Sequence, residues 1–151
     1  RNILHLMVEA LAGDTCKGFL TDHLTEGGDT KYMGVCRLPP RKDRSGKVVE
    51  EYNIHRRIDI RFVPYNSYGT ALLYFTGSRD FNTQMRSVAL KRGLTLSEYG
   101  LFKLIKDPKT NKWIREKSGT YKKGEHLPTP EEEDVFRILE MEYKTPRERD
   151  I

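Results

Sequence analysis

Residues 55–62 contain a row of alternating charges on what reads as a β-strand. Arg57, Asp59 and Arg61 would project from one face, and the apolar residues between and after them from the other: Ile58, Ile60 and Phe62. Flanking guanidiniums favour the ionised form of the aspartate, which suits a Mg²⁺ ligand facing phosphate groups. The alternative is a solvated strand face with two ion pairs, because charged rows are common on protein surfaces.

The overall charge favours a polyanionic partner. The 151 residues include 27 Lys and Arg against 22 Asp and Glu, which gives a net charge of +5 and a pI near 9.2. Nucleic acid is the leading candidate for such a chain. The charged fraction is 32% and no apolar run approaches the ~20 residues that a span requires, so we expect no membrane segment.

Cysteine usage and the first residue bear on the protein's context. Cys16 and Cys36 are isolated and lack the spacing of a zinc site, so we expect reduced thiols in an intracellular protein. The chain begins with Arg and enters a helical pattern within three residues. We therefore expect it to be a piece of a larger protein.

Hydrophobic periodicity predicts both helices and strands. The first half suggests a helix that stops at Gly13, strands near 19–24 and 31–37, a solvated mobile loop at 39–46, and the charged strand from about Ile54. In the second half, the apolar run at 71–75 is typical of a buried strand. A helix should follow near Asp80, with Asn82 and Arg86 sharing its outer face and four residues facing inward: Phe81, Met85, Val88 and Ala89.

The C-terminal third is also predicted to contain both strands and a helix. One or two strands should lie within 94–104, followed by a long hairpin or flexible insertion from Lys106 to His126. Thr129 and Pro130 would open a capping-box helix that buries three residues: Val135, Phe136 and Leu139. The fold class is therefore α+β.

Several motifs in one order resemble the C-terminal part of a family X DNA polymerase of the beta and lambda type. They cover nearly the whole chain and lie at residues 19–22, 31–39, 57–61, 74–78, 81–86, 96–99, 127–130 and 146–150. The resemblance implies the remainder of a nucleotidyltransferase-type palm sheet at 1–75. A small α+β fingers or thumb subdomain that binds the nascent base pair would follow at 76–151.

The same resemblance assigns roles to the charged row. Asp59 would be the third carboxylate of the palm, a ligand of the catalytic Mg²⁺ nearest the primer 3′-hydroxyl. Arg57 would hold the primer-terminus phosphate, and Arg61 would exchange partners as the enzyme closes. Both arginines could instead be simple ion-pair partners of Asp59.

A second group of residues resembles the nucleotide-binding corner of the family. Tyr74 and Phe75 would lie under the nucleotide sugar, with the backbone at Thr76 and Gly77 contacting that sugar. The alternative is a pair of strand-end core aromatics. On the following helix, Asn82 would bond the minor-groove edge of the incoming base.

Four further positions are implied on the DNA and nucleotide side. Arg86 would reach the templating strand. Arg79 stands where the beta polymerase has an acidic residue that stacks on the incoming base, so its role is altered. Glu98 and Tyr99 match a pair that packs against the moving helix and the template, with a plain polar strand end as the alternative.

An absence qualifies the resemblance. The family's first two metal carboxylates, in a D-x-D strand, would precede this segment and are not in it. A site for two Mg²⁺ ions, or for Mn²⁺ in their place, needs several carboxylates, so this chain alone should be inactive. The partners implied are gapped or primer-template DNA, deoxynucleotides and the missing N-terminal part of the polymerase.

The function implied is template-directed, gap-filling DNA repair synthesis, in the nucleus or alternatively the mitochondrion. Two other functions stay open. Template-independent terminal transfer is the first, although those enzymes have Gly-Trp where this chain has Tyr74 and Phe75. A non-catalytic DNA-binding module, using basic loops at 41–47 and 117–123, is the second.

Overall fold

The computed structural model of the chain describes residues 2–51 and 53–151, which pack as two compact units. Unit 1 ends at Phe62 and unit 2 is Val63–Ile151. Both units combine helices with antiparallel strands, which confirms the α+β class. The functional boundary between residues 75 and 76 stays a prediction. None of the helices in the described residues is long and apolar enough to cross a membrane.

Unit 1 is a helix packed on a three-stranded sheet. Its elements are α1 (Ile3–Ala12), a 3₁₀ turn at Asp14–Cys16, β1 (Leu20–His23), β2 (Lys31–Cys36), β3 (Arg41–Lys42), β4 (Val48–Glu50) and β5 (Arg56–Arg61). The Asn2 side chain caps α1 by accepting from the amide of His5 at 2.7 Å, and Gly13 ends the helix as predicted. The main sheet has the order β1-β2-β5 with antiparallel pairing throughout.

The core of unit 1 lies between α1 and the sheet. Leu4, Leu20 and Tyr32 are buried there, and Ile58 and Ile60 of β5 pack against them. Burial raises the pKa of the Tyr32 phenol. The inward face of β5 is thus fixed by apolar packing, and this packing holds the charged row on the opposite face.

The prediction of a mobile loop at 39–46 is wrong in part, because β3 lies within it and pairs with β4 just beyond it to form a short ribbon. Arg41 pairs with Glu50 across the ribbon, with Nε and Oε2 3.3 Å apart. At the turn, the Asp43 carboxylate accepts hydrogen bonds from the amides of Ser45 and Lys47. Local hydrogen bonding of this kind gives a turn the definition that composition alone does not reveal.

Unit 2 packs helices on a second three-stranded sheet. After a 3₁₀ turn at Tyr65–Ser67 come α2 (Tyr68–Thr76), α3 (Arg79–Lys91), β6 (Leu94–Ser97), β7 (Gly100–Leu104), β8 (Lys123–Leu127), α4 (Glu132–Ile138) and a 3₁₀ turn at Pro146–Arg149. The sheet order is β6-β7-β8, again antiparallel. Its core contains ten buried apolar residues: Leu73, Phe81, Met85, Ala89, Leu94, Leu96, Leu101, Val135, Phe136 and Leu139. The predicted inward faces of α3 and α4 are confirmed.

The prediction of a buried strand at 71–75 is wrong, because the run lies inside α2. Gly69, Thr70 and Leu73, at positions i, i+1 and i+4, are all buried, whereas Leu72 is exposed. That spacing is helical. Gly69 is required, since a Cβ there would lie 2.2 Å from the carbonyl oxygen of Glu131. Short apolar runs fit either element, and here the packing of α2 selects the helix.

The predicted start of the last helix is two residues early. Thr129 is buried and its amide donates to the carbonyl of Asn66 at 2.8 Å, while its own carbonyl accepts from Gly69 at the same distance. These bonds tie residue 129 to the chain around α2, so the helix begins at Glu132. Its capping box consists of Glu131 and Asp134.

Candidate functional site

Two residues of the charged row, Arg57 and Asp59, are exposed on β5, an edge strand of the three-stranded sheet, whereas Arg61 is half-buried. Arg57 and Asp59 lie opposite Val35 and Met33 in the register with β2. Their side chains are 53% and 50% exposed, and Arg57 Nη2 lies 2.9 Å from Asp59 Oδ1. The strand therefore presents a paired but accessible carboxylate, as the alternation predicts.

The same alternation fails at the end of the strand. Phe62 is predicted to face the core beside Ile58 and Ile60, yet it is an exposed aromatic residue. The last pair in the register joins Lys31 to Arg61, so Phe62 lies beyond β5. Past the last paired residue, pleating no longer dictates which face a side chain takes.

One carboxylate is not a two-metal site. Among residues 2–51 and 53–151, no group of three or more His, Cys, Asp or Glu side chains is placed to hold a metal ion. Asp29, in the connection between β1 and β2, accepts a hydrogen bond from the Asn2 side chain. The described residues therefore do not fit a complete site for two Mg²⁺ ions.

The second group of predicted residues lies at the corner between α2 and α3. Tyr74 and Phe75 are 37% and 55% exposed, and their rings meet edge to face with centroids 5.0 Å apart. The alternative that both are core aromatics is therefore wrong. The Thr76 hydroxyl donates to the carbonyl of Leu72, and Gly77 ends the helix with a φ of 74° that favours glycine.

Asn82 and Arg86 join Tyr74 around one narrow cleft. Asn82 Nδ2 donates to the carbonyl oxygen of Tyr74 at 2.8 Å, and Arg86 Nε donates to the carbonyl of Asn82 at 3.3 Å. The three residues line a cleft of about 10 Å³ together with Thr70, Leu73, Leu96 and Ser97. That volume holds about one water molecule, so the cleft is a contact surface and not a ligand cavity.

The remaining predicted residues lie at the start of α3 and at the β6–β7 connection. Arg79 is exposed in the first turn of α3, where its carbonyl accepts from the Thr83 hydroxyl. Glu98 and Tyr99 form the tight connection from β6 to β7, directly after the cleft residue Ser97. The Tyr99 ring is exposed, with Lys123 Nζ 5.6 Å from its centroid.

The structure adds two residues that sequence reasoning missed. The amide and hydroxyl of Ser78, at the corner beside Gly77, both donate to the carbonyl of Arg149, at 3.2 and 2.9 Å. The Arg149 side chain is fully buried, pairs with Glu132, and donates from Nε to the carbonyl of Lys144. The 146–150 motif includes this arginine, but nothing in the motif distinguishes it as buried.

The Arg149 guanidinium also lies over aromatic rings. Its Cζ is 5.3 Å from the centroid of Phe136 and 5.5 Å from that of Tyr143. Such stacking stabilises a desolvated cation. The C-terminal turn therefore holds the Gly77–Ser78 corner in place through a buried arginine.

These two α+β units, one with an accessible carboxylate in a basic row and one with an aromatic corner beside an Asn–Arg helix face, define the class of a palm-and-thumb polymerase region. The comparison with family models agrees. The DNA polymerase beta palm matches residues 1–65 and the DNA polymerase beta thumb matches residues 71–150. The chain belongs to this family, the family X DNA polymerases, which confirms the resemblance.

Individual relatives support the same assignment. DNA polymerase lambda of Rattus norvegicus is 42% identical over 139 residues, which are 89% of this chain and 21% of that protein. DNA nucleotidylexotransferase of Xenopus laevis is 28% identical over 79% of this chain and 22% of its own length. DNA polymerase lambda of Arabidopsis thaliana is 28% identical, with coverage of 84% and 21%. The chain thus spans about a fifth of the length of these relatives.

Proposed function

We propose that this chain is the palm remainder and thumb of a polymerase that carries out template-directed, gap-filling DNA repair synthesis. The observation that carries the proposal is the half-exposed Asp59 carboxylate, held by Arg57 on a rigid strand, in a chain of this family. The parent would transfer deoxynucleotides to a primer 3′-hydroxyl on gapped or primer-template DNA. The 42% identity to a polymerase lambda favours this activity over others in the family.

In this proposal Asp59 is the one carboxylate that the chain contributes to a two-ion site. Mg²⁺ would be the usual ion, with Mn²⁺ as a substitute, and the other carboxylates would come from the part of the polymerase that precedes this segment. Arg57 would balance the charge of Asp59 and contact the primer-terminus phosphate. Arg61, on the same face of the strand, would exchange partners as the enzyme closes. Without the preceding part, the isolated chain is inactive.

The α2–α3 corner is the proposed support for the nucleotide. Tyr74 and Phe75 are exposed aromatic residues that would lie beneath the sugar, and the backbone of Thr76 and Gly77 would contact that sugar. The side-chain amide of Asn82 donates one hydrogen to the carbonyl of Tyr74, so its second hydrogen and its side-chain oxygen Oδ1 are left for the edge of the base.

Exposed side chains beside this corner would contact the template. Arg86 has an exposed guanidinium anchored at Nε, which leaves its terminal nitrogens to reach DNA. Glu98 and Tyr99 at the β6–β7 connection would pack near the same strand. Arg79, at the start of α3, would contact the nucleotide through its positive charge, unlike its acidic counterpart in the beta polymerase.

The test is single-nucleotide extension on one-nucleotide-gapped DNA with Mg²⁺, with this chain compared to a protein extended upstream. Extension by the longer protein only is expected. Asp59→Ala in the longer protein should lower the rate by about 10³-fold or more, because removing a group that contacts the reacting centre costs roughly 4 kcal/mol of barrier. Affinity for gapped DNA should change little.

Asp22→Ala is the matched control, since Asp22 is an exposed aspartate of β1 in the same sheet. Its extension rate should equal that of the unchanged protein. Near-normal turnover by Asp59→Ala would refute the assignment of Asp59. Extension by the 151-residue chain itself would show that another carboxylate completes the site.

Terminal transfer is the second candidate, favoured by the 28% identity to the Xenopus nucleotidylexotransferase. The aromatic pair Tyr74 and Phe75 argues against terminal transfer, because terminal transferases have Gly-Trp at the corresponding position. Extension of a single-stranded primer without template distinguishes the two activities. We expect none from the upstream-extended protein, whereas untemplated addition at a rate similar to gap filling would favour the transferase.

Two remaining expectations belong to the proposal. The functional division between the palm remainder and the base-pair-binding subdomain would lie between residues 75 and 76, where the aromatic corner begins. The parent would work inside the cell, in the nucleus or alternatively the mitochondrion, since both hold the double-stranded DNA that gap filling requires.

A further inference from the structure

The segment between β7 and β8 carries a charge equal to that of the whole protein. Residues 106–123, which we call the basic hairpin, contain seven Lys or Arg and two acidic residues, a net charge of +5. The complete chain also has a net charge of +5, so the other residues balance to zero. A segment with this density of positive charge favours a polyanionic partner.

The basic hairpin is an ordered antiparallel ribbon with two consecutive turns, at 107–112 and 116–120. Bridges join Lys106 to Trp113 and Arg115 to Tyr121. Two further backbone hydrogen bonds support the ribbon. The amide of Ile114 donates to the carbonyl of Ile105 at 2.8 Å, and the amide of Lys122 donates to the carbonyl of Ile114 at 2.9 Å. A ribbon held in this way presents its charges at fixed spacing, which lowers the ordering cost of binding.

Most of the hairpin's lysines are not neutralised within the protein. Lys109, Lys112, Lys117 and Lys122 are exposed and form no ion pair in the described part of the chain. The Asp107 carboxylate accepts from the amide of Lys109, so it stabilises a turn. Lys103 just outside the hairpin is different, because it pairs with Glu125.

Aromatic rings link the hairpin to the proposed template surface. Lys106 lies over Trp113, with Nζ 4.8 Å from the ring centroid, and Arg115 lies 4.2 Å from the centroid of Tyr121. At the base, Lys123 Nζ is 5.6 Å from the centroid of Tyr99, the residue proposed to pack near the template. The hairpin therefore continues the surface that begins at Tyr99.

We propose that the basic hairpin binds the phosphodiester backbone of DNA beyond the nucleotide site, through Lys109, Lys112, Lys117 and Lys122. This inference rests on the proposed function, because it takes DNA as the partner. Cations cover the half-buried rings of Trp113 and Tyr121, so the ribbon offers charge and little apolar area. A protein interface requires an apolar centre, whereas spaced cations are sufficient for phosphate contacts.

The test measures the salt dependence of binding to a gapped duplex by fluorescence anisotropy. A variant with Lys→Gln at 109, 112, 117 and 122 should bind about tenfold or more weakly at 0.1 M salt. Its plot of log affinity against log salt should be shallower by about 0.9 for each phosphate that is no longer neutralised, and so by about 2 to 4 in total. The matched control removes four exposed lysines elsewhere: Lys17, Lys31, Lys91 and Lys144.

The control should change the slope by less than half as much. Equal losses of affinity in the two variants would show a general charge effect and overturn the proposal, as would an unchanged slope in the hairpin variant or the absence of DNA binding by the unchanged chain. Retained Trp113 fluorescence would confirm that the variant is folded. Because binding and extension are measured separately, a failure of Asp59→Ala to abolish synthesis would refute the catalytic assignment and leave the hairpin result standing.

Discussion

Unit 1 and unit 2 each contain an arginine–carboxylate pair, but in opposite environments. In unit 1, Arg57 and Asp59 lie on the edge strand with about half of each side chain exposed. In unit 2, Arg149 is completely buried and Glu132 is 12% exposed. Both pairs hold opposite charges in contact, so the residue types alone do not separate them.

Burial determines what each pair can do. Water screens the Arg57–Asp59 pair, so it contributes little stability, and either partner can exchange the other for an ion or a phosphate at small cost. The Arg149–Glu132 pair has lost its solvent, and Arg149 Nη2 has no hydrogen-bond partner among the described residues. Such a pair is hard to break, because a lone buried charge would remain. The first is suited to a ligand and the second to holding the fold.

The largest effect should come from breaking the buried pair. Arg149→Met should lower the free energy of unfolding of unit 2 by about 3–5 kcal/mol, because it leaves the Glu132 carboxylate without its partner and removes the cation that lies over the rings of Phe136 and Tyr143. Asp59→Ala should change stability by less than about 0.5 kcal/mol. Urea unfolding followed by the fluorescence of Trp113, the single tryptophan and a residue of unit 2, measures the effect of Arg149→Met. Urea unfolding followed by far-UV circular dichroism, to which unit 1 also contributes, measures the effect of Asp59→Ala.

The double variant Arg149→Met with Glu132→Gln separates charge from packing. It should regain part of the lost stability, because no unpaired charge is left. If Asp59→Ala destabilised the protein as much as Arg149→Met, exposure would not explain the difference between the pairs.

An intermediate effect is expected for an exposed arginine that serves a ligand. Arg86→Ala in the upstream-extended protein should lower the efficiency of correct insertion about tenfold, roughly 1.4 kcal/mol, and raise misinsertion because the template strand is held less firmly. Its stability should be unchanged, because only Nε makes a bond, to a helix carbonyl. Steady-state insertion of matched and mismatched nucleotides measures both effects.

Lys91→Ala is the control for Arg86→Ala, since Lys91 is an exposed cation of the same helix. It should insert nucleotides normally. An unchanged misinsertion rate in Arg86→Ala would contradict the template role while leaving the contrast in burial intact.

The contrast between the pairs also shows what the sequence could predict. Strand alternation placed Arg57 and Asp59 on one face, and helical spacing placed Phe81 and Met85 inward, because local periodicity fixes which face is apolar. It could not distinguish Arg149 as the buried arginine. Burial there depends on Phe136 and Tyr143, which are separated from it along the chain and meet it only on folding.

The errors have the same origin. The run at 71–75 resembles a strand because five apolar residues fit either element, and packing of Gly69 against Glu131 decides for a helix. Thr129 resembles a helix cap because the local sequence shows the cap signal, yet its bond to Asn66 holds it outside the helix. Long-range contacts override local signals in both places.

The smallest effect concerns a third pair, Arg137 and Asp134, in which the carboxylate has an exposure between the two extremes. Asp134 is 22% exposed, and its carboxylate accepts from Arg137 at 2.9 Å and from the amide of Glu131 at 3.0 Å. The hydrogen bond from Arg137, followed by that from the Glu131 backbone, lowers the pKa of Asp134 below its usual 3.8. Asp134→Asn should therefore lower the free energy of unfolding by about 0.5–1 kcal/mol at pH 7.

The pH dependence of this third effect is what tests it. A carboxylate with a depressed folded pKa stabilises the protein above its unfolded pKa and loses that contribution as pH falls through the folded value. The difference between Asp134→Asn and the unchanged protein should thus be constant above about pH 5 and shrink below about pH 4. Glu133→Gln, which changes an exposed carboxylate of the same helical turn, should show a smaller difference. A difference for Asp134→Asn that persists undiminished to pH 2 would mean that the side chain acts through its shape and not through its charge, and an ion pair of intermediate burial would then resemble neither of the other two.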